Sequence, residues 1–320
     1  MKCPVIFLNG ALNHALSTAR LWCRIIGLLA LVGVLGLLQA CSAVKLAYNQ
    51  APELAYWYLD GYVDFSSAQS AQVKDELTKL HAWHRQTQLP GYISTLQKLQ
   101  QQMPHDISAQ QACTTLSEVR QKALAISVQA EPSVLAIVST LTPVQLTRLE
   151  RKFEKTNAEY REDYLDGPDN TPGSAGTKRS KRYKQVLSRT EMLYGKLSDK
   201  QRELLTQAID VSRFDAARGY VEKQRRQRDT LQSLRALASV PGGNEVLDNA
   251  KLALRSLVNR SFQSPDASYR DYIDALTQEG CKTFADLHNA ATPAQRDKAI
   301  DTLGGYERDL KAMLGTAGKG

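Results

Sequence analysis

Five short stretches share one pattern: Ser66-x-x-Gln69, Ser108-x-x-Gln111, Thr142-x-x-Gln145, Ser198-x-x-Gln201 and Thr292-x-x-Gln295. Each places a hydroxyl residue three positions before a glutamine, which is the spacing of a helical capping box. The hydroxyl accepts from the N3 amide and the glutamine side chain reaches back to the N-cap amide, so two orphan donors are satisfied at once. Pro143 and Pro293 fall at N1, where a missing N–H costs nothing. Leu141 and Leu146 suit the two ends of a hydrophobic staple. A chain that announces five helix beginnings in this way has little freedom to be anything but helical. The apolar spacing agrees, with Leu146, Leu149, Phe153, Tyr160 and Tyr164 recurring at three, four and seven. No stretch alternates between hairpin turns as strands would. The expected fold is all-α, an elongated multi-helix bundle built either as one body or as two linked helical lobes.

Breaks divide the pattern. Pro90 and Pro104 punctuate the first half, and Pro132 is expected to start or kink a helix after Glu131. Residues 166–176, Asp-Gly-Pro-Asp-Asn-Thr-Pro-Gly-Ser-Ala-Gly, carry no apolar anchor and read as a linker. The organisation expected is therefore a segment 1–40, an N-terminal helical lobe 41–165, a linker 166–181 and a C-terminal helical lobe 182–320. From Ser198 to about Ser239 only Gly219 interrupts, which predicts one long helix of about 60 Å. Its middle, Glu222-Lys223-Gln224-Arg225-Arg226-Gln227-Arg228-Asp229, is polar all round and is expected to be solvated. The alternative is an exposed arm for an anionic partner.

The amino end has a different character. Lys2, Arg20 and Arg24 precede an uncharged run from Ile25 to Leu38, followed by Leu38-Gln39-Ala40-Cys41-Ser42. Fourteen helical residues span about 21 Å, short of a bilayer's roughly 30 Å core. The order of charged, apolar and small residues is that of a secretory signal peptide. Leu38-Gln39-Ala40-Cys41 resembles the lipobox of bacterial lipoproteins. That resemblance implies cleavage before Cys41, lipidation (palmitate included) of its sulfur, and outer-membrane sorting through Ser42. Two or three acyl chains make a stable anchor at about 0.8 kcal/mol per buried CH₂.

Cleavage would lower the formal charge from +8 to about +5, a mild excess. In a periplasm, the available partners for it are envelope proteins and anionic lipid head groups, lipopolysaccharide or peptidoglycan carboxylates, not nucleic acid. Two cysteines, Cys113 and Cys281, would remain in an oxidising compartment and are a candidate disulfide. Closing that loop is worth about 4–5 kcal/mol in the chain-entropy model.

Two further likenesses emerge from the residues. Leu46-Ala47-Tyr48-Asn49-Gln50, Leu54-Ala55-Tyr56-Trp57, Leu59-Asp60, Trp83-His84-Arg85, Leu141-Thr142-Pro143-x-Gln145 and Thr292-Pro293-x-Gln295-Arg296 resemble an uncharacterised family of proteobacterial outer-membrane lipoproteins. That likeness implies helices and a lipid anchor but no activity. Leu141-Thr142-Pro143-Val144-Gln145 is similar to the Leu-Thr-x-x-Gln signature of Spy/CpxP-like periplasmic stress proteins, with Leu197-Ser198-x-x-Gln201 and Phe65-Ser66-x-x-Gln69 as relaxed versions. This second likeness implies a chaperone or envelope-stress role.

Chemistry is sparse. His81 and His84 stand at i and i+3 with Asp75 and Glu76 a turn earlier, yet a zinc site needs more ligands than this, so no metal and no cofactor are expected. Nucleophile and phosphate-loop motifs are missing. The pairs Asp163/Asp166 and Asp271/Asp274 read as surface charges. Near the amino end, Tyr48, Tyr56, Trp57, Tyr58, Tyr62 and Phe65 cluster, and Tyr56, Trp57, Tyr58 and Tyr62 are candidate interface aromatics, because Tyr and Trp favour a boundary that is apolar on one side and wet on the other. Ala55, Tyr58, Tyr62 and Phe65 share a stripe that is expected to pack on the bundle. The functional expectation is a lipid-anchored, non-enzymatic binding or scaffolding protein of the envelope. A tethered chaperone or stress module is the first alternative, and a peptidoglycan-active enzyme the second.

Overall fold

The computed structural model describes residues 43–165, 175–238 and 244–315, and all of the regular structure among them is helical. The expected signal segment with Cys41 and Ser42, and residues 166–174 of the expected linker, lie outside the described residues. Helix α1 (Ala43–Asn49) belongs to a first unit, Met1–Asn49, and the remainder, Gln50–Gly320, forms one compact unit. Within that second unit run α2 (Ala51–Val63), α3 (Ser67–Trp83), α4 (Leu89–Gln102), α5 (Ala109–Val138) and α6 (Pro143–Tyr164). They are followed by α7 (Ala175–Tyr194), α8 (Asp199–Asp210), α9 (Ala216–Ala238), α10 (Asn244–Phe262), α11 (Ala267–Asn289) and α12 (Pro293–Gly315).

All five boxes start helices. Ser66, Ser108, Thr142 and Ser198 each accept from the backbone of the glutamine three residues on, and that glutamine takes the N-cap N–H in return. Thr292 and Gln295 do the same at the head of α12, at 3.0 and 3.3 Å. Four of these glutamines do more. Gln69 and Gln145 face each other, their amides exchanging hydrogen bonds of 3.2 and 2.7 Å. Gln69 also donates to the Thr140 carbonyl at 2.9 Å, and Gln145 to that of Asp64 at 3.0 Å. Gln201 and Gln295 repeat the figure: amide to amide at 3.0 and 3.1 Å, then to the carbonyls of Ala290 and Lys196 at 3.2 and 3.0 Å. In every case the carbonyl lies two residues before the partner's N-cap. Each of these amides thus fills both donor and both acceptor positions, which is why Gln69, Gln145 and Gln201 tolerate burial. One junction clamps the start of α3 to the start of α6, and the other clamps α8 to α12. The fifth box is tied differently: Asn289, the last residue of α11, exchanges two hydrogen bonds with the Ile107 backbone at 2.9 and 3.0 Å.

Long-range packing crosses the expected linker. Helix α4 packs on α12, α5 on α11, and α6 on α9, so Gln50–Gly320 takes the one-body form of the expectation. Met103, Tyr194, Leu197, Ala291, Ala299 and Leu303 form one core cluster. A second gathers Leu135, Val138, Leu237, Leu254 and Leu257. Cys113 on α5 and Cys281 on α11 are disulfide-bonded, with Cα atoms 5.4 Å apart across 168 residues of sequence.

Several local expectations need correction. The long helix from Ser198 is two helices, α8 and α9. At the break, the Asp215 carboxylate accepts from the N–H groups of Ala217 and Arg218 at 2.8 and 3.2 Å, a new N-cap. Gly219 does not interrupt α9; a Cβ there would lie 3.2 Å from the Tyr160 hydroxyl, which itself donates to Ala216 at 3.1 Å. Of the two expectations for Pro132, a helix start is not met, because α5 runs through it. Pro132 and Val128, whose carbonyl it leaves without a helical donor, are both exposed, so water can take that carbonyl. Pro90 also fails to end a segment: a π-helical turn, His84–Gln88, carries α3 straight into α4. The wider turn accommodates the proline, and the Thr87 hydroxyl satisfies the Trp83 carbonyl at 2.8 Å. Helix α7 begins at Ala175, inside the expected linker.

Candidate functional site

Helix α2 contributes no buried residue. Its aromatic residues divide between two faces. Tyr56 and Tyr62 turn inward: the Tyr56 hydroxyl donates to Ser70 at 3.0 Å with Lys74 over its ring at 4.5 Å, and the Tyr62 ring meets Phe153 of α6 at 6.2 Å. A hydrogen bond with Tyr58, then burial, pushes the Tyr62 hydroxyl up to about 12. Leu54, Trp57 and Tyr58, at i, i+3 and i+4, are 55, 75 and 60 % exposed, Tyr58 at the border of the two sides with its hydroxyl donating to Tyr62 at 3.3 Å. The expected stripe therefore packs only in part. Tyr62 lies against Phe153 of α6 and Phe65 packs near Tyr56, whereas Tyr58 joins Trp57 and Leu54 in an open apolar patch, 13 to 17 residues after Cys41 in the sequence.

The polar stretch of α9 is also placed differently from its expectation. Glu222 is only 4 % exposed, and its neighbours through Gln227 are half-buried. The carboxylate of Glu222 takes both Arg225 and Arg226 at 2.8 Å and the Ser264 hydroxyl at 3.1 Å. Burial alone would raise its pKa, but these three donors outweigh that and hold it below the usual carboxylate range. Asp229 continues the network, binding Arg260 through both oxygens at 2.8 and 2.9 Å and Arg225 at 3.3 Å. Its carboxyl is held low, first by the hydrogen bond from Arg260. The stretch is polar all round because polar groups meet it from α10 and the turn before α11, not because water surrounds it.

One edge of this network opens into a cavity of about 530 Å³ between α5, α9, α10 and α11. Arg120, Arg226 and Arg270 reach it from three different helices, with Phe262, Tyr269 and Asp274 also on its wall. Further along the α5/α11 seam lies an apolar notch of about 320 Å³, beside the disulfide. Leu116, Val119 and Phe284 line it.

Among the described residues no three His, Cys, Asp or Glu side chains are placed to share an ion. The His84 ring lies 5.5 Å from Tyr92, and burial, then neighbouring His81, lowers its pKa. His288, which has no motif around it in the sequence, is fully buried. Its Nε2–H donates to the His105 carbonyl at 2.8 Å, leaving Nδ1 to accept from the Tyr194 hydroxyl at 2.8 Å. Burial holds the ring neutral by lowering its pKa, and pushes Tyr194 well above the usual phenol range. This is a core clamp and not an open site. Of the acidic pairs, Asp163 is bound by Lys181 at 2.8 Å and Asp166 lies outside the described residues. Asp274 edges the arginine cavity, while Asp271 lines a separate one. No described helix is long and apolar enough to cross a membrane.

No single motif marks the arginine cavity, since its three arginines are spread over 150 residues of sequence. Only Arg226, inside the polar run singled out above, carried a signal. Compared with known proteins, the chain matches at residues 61–253 the model of a family of unknown function, DUF6279. No curated protein matches, and no solved structure does.

Proposed function

Because the chain belongs to DUF6279, a family of unknown function that brings no activity with it, we propose its role from its own surfaces. It is a lipid-anchored envelope protein, acylated at Cys41 and sorted through Ser42 to the periplasmic face of the outer membrane, where it acts as a non-enzymatic binding or scaffolding module. The observation that carries this reading is the open patch of Leu54, Trp57 and Tyr58. It sits on the first helix of the compact unit, close in sequence to the proposed acylation site. An exposed apolar face of this kind needs a partner surface, and a bilayer held within reach by the anchor supplies one. Trp and Tyr at its centre suit the interfacial zone of a membrane.

The test is metabolic labelling of the full chain with palmitate, followed by separation of inner and outer membranes. The label should follow the protein into the outer-membrane fraction and vanish in Cys41→Ser. A chain of unprocessed mass, unlabelled and retaining residues 1–40, overturns the reading.

A further inference from the structure

The arginine cavity and the apolar notch are two hollows along one helix–helix seam. On α5, Leu116 lines the notch, while Arg120 and Leu124 line the cavity; at i, i+4 and i+8 they share a helical face. On α11, Phe284 and Gly280 line the notch and Ile273 and Tyr269 the cavity, again on one face. Residue numbers fall along α11 as they rise along α5, so the two hollows follow each other along an antiparallel seam, with Val119 at the notch and Arg120 at the cavity adjacent in the chain.

The two hollows differ in charge. Arg120 donates to the Phe262 carbonyl at 2.7 Å. Arg270 donates to the carbonyls of Ser264 and Pro265 at 2.8 and 2.9 Å. Carbonyls fix a guanidinium in place without cancelling its charge. Among the described residues neither arginine has a carboxylate partner, although Asp274 shares the wall. Arg226 is different, since Glu222 holds its Nε at 2.8 Å. Two positive groups are thus held in position at one hollow of the seam, while the other is mostly hydrocarbon beside the disulfide, with Gln102, Gln111 and Thr115 also on its wall. Each guanidinium keeps further N–H donors in the planar geometry that suits carboxylate and phosphate. The volumes, about 530 and 320 Å³, fall in the range of small-molecule sites.

From this polarity we infer that the α5/α11 seam binds a single-chain amphiphile with an anionic head, the head held by Arg120 and Arg270 and the tail laid against Leu116, Val119 and Phe284. Charge complementarity selects the head, and the length of the seam selects a chain over a free ion. The site lies on other helices than the α2 patch and does not depend on acylation.

Isothermal titration of the full chain in phosphatidylcholine nanodiscs, with empty nanodiscs as reference, tests this. The probes are octanoate and octyl phosphate, with octanol and inorganic phosphate as the tail alone and the head alone. At least one octyl anion should bind ten times or more tighter than either half. Preference for octanoate marks a fatty-acid site, and preference for octyl phosphate a phosphate-ester site. Arg270→Gln and Arg120→Gln should each weaken the preferred anion about tenfold. Leu116→Gln, at a half-exposed position, should weaken it without weakening phosphate. Trp57→Ala should leave it unchanged, which separates this inference from the membrane reading. Equal binding of octanol, equal binding of phosphate, or arginine variants that bind like the parent would overturn it.

Discussion

Helices α2 and α9 invert the ordinary placement of residues. Helix α2 is apolar and aromatic, yet it has no fully buried residue and leaves Leu54, Trp57 and Tyr58 open. Helix α9 is charged through its middle, yet Glu222 is among the most buried side chains of the molecule. Hydropathy would put the first inside and the second outside. The difference teaches where each helix finds its partners. The carboxylates of α9 meet arginines from their own helix and from α10, so desolvation is offset by direct hydrogen bonds. Among the described residues Leu54, Trp57 and Tyr58 of α2 stay exposed, so their apolar area remains for something else.

The comparison can be broken first at α9. Removing the Glu222 carboxylate by Glu222→Ala takes the shared acceptor from Arg226, Ser264 and Arg225, leaving Arg225 only its longer contact with Asp229 among carboxylates, and should cost about 3 kcal/mol or more in urea-midpoint measurements. A cost below about 1 kcal/mol would mean the network is surface decoration. Another buried polar group sharpens the point. Gln201→Ala, which removes one half of an amide pair and leaves donors and acceptors unmet, should cost about 2–3 kcal/mol. Gln111→Ala, an exposed box glutamine with no amide partner, should cost about 1 kcal/mol or less.

Acid probes the same interior. Glu222 and Asp229 have lowered folded pKa values, so their contribution is present above about pH 4.3 and is lost as pH falls through the folded values. The folded pKa of His288 is also lowered, so its contribution holds above about pH 6.5 and is lost as pH falls from there. It is faced by Tyr194, the His105 carbonyl, Arg296 and Asp106. Stability measured from pH 7.5 to 3 should therefore decline in two stages, and His288→Gln should flatten the first. The smallest effect belongs to α2. Trp57→Ala should change stability by no more than about 0.5 kcal/mol, as for a surface residue. A loss like that of Glu222→Ala would erase the contrast.

How much of this was legible follows from the range of each signal. The capping boxes were readable because hydroxyl and glutamine lie three residues apart and act on one helix end. Their pairing was not, because Gln69 finds Gln145, and Gln201 finds Gln295, only when the chain is folded. The end of α8 was missed because Asp215 caps α9 without a glutamine three residues on. The single run from α3 to α4 was missed because a π-helical turn has no short sequence signature. The candidate disulfide was read from the two cysteines left after the expected cleavage and from the oxidising compartment that cleavage implies. The arginine cavity had the weakest signal, since each of its walls is ordinary until α5, α9 and α11 converge.

The central claim is that the outer face of α2 is apolar for a membrane. The most direct measurement is the fluorescence of Trp57 in the full chain carrying Trp22→Phe and Trp83→Phe, with lipids brominated in their acyl chains. In vesicles, quenching and a blue shift of the emission should show Trp57 at the interface, and Leu54→Ser with Tyr58→Ser should reduce both. Emission that stays as red and unquenched as in lipid-free solution would contradict the account.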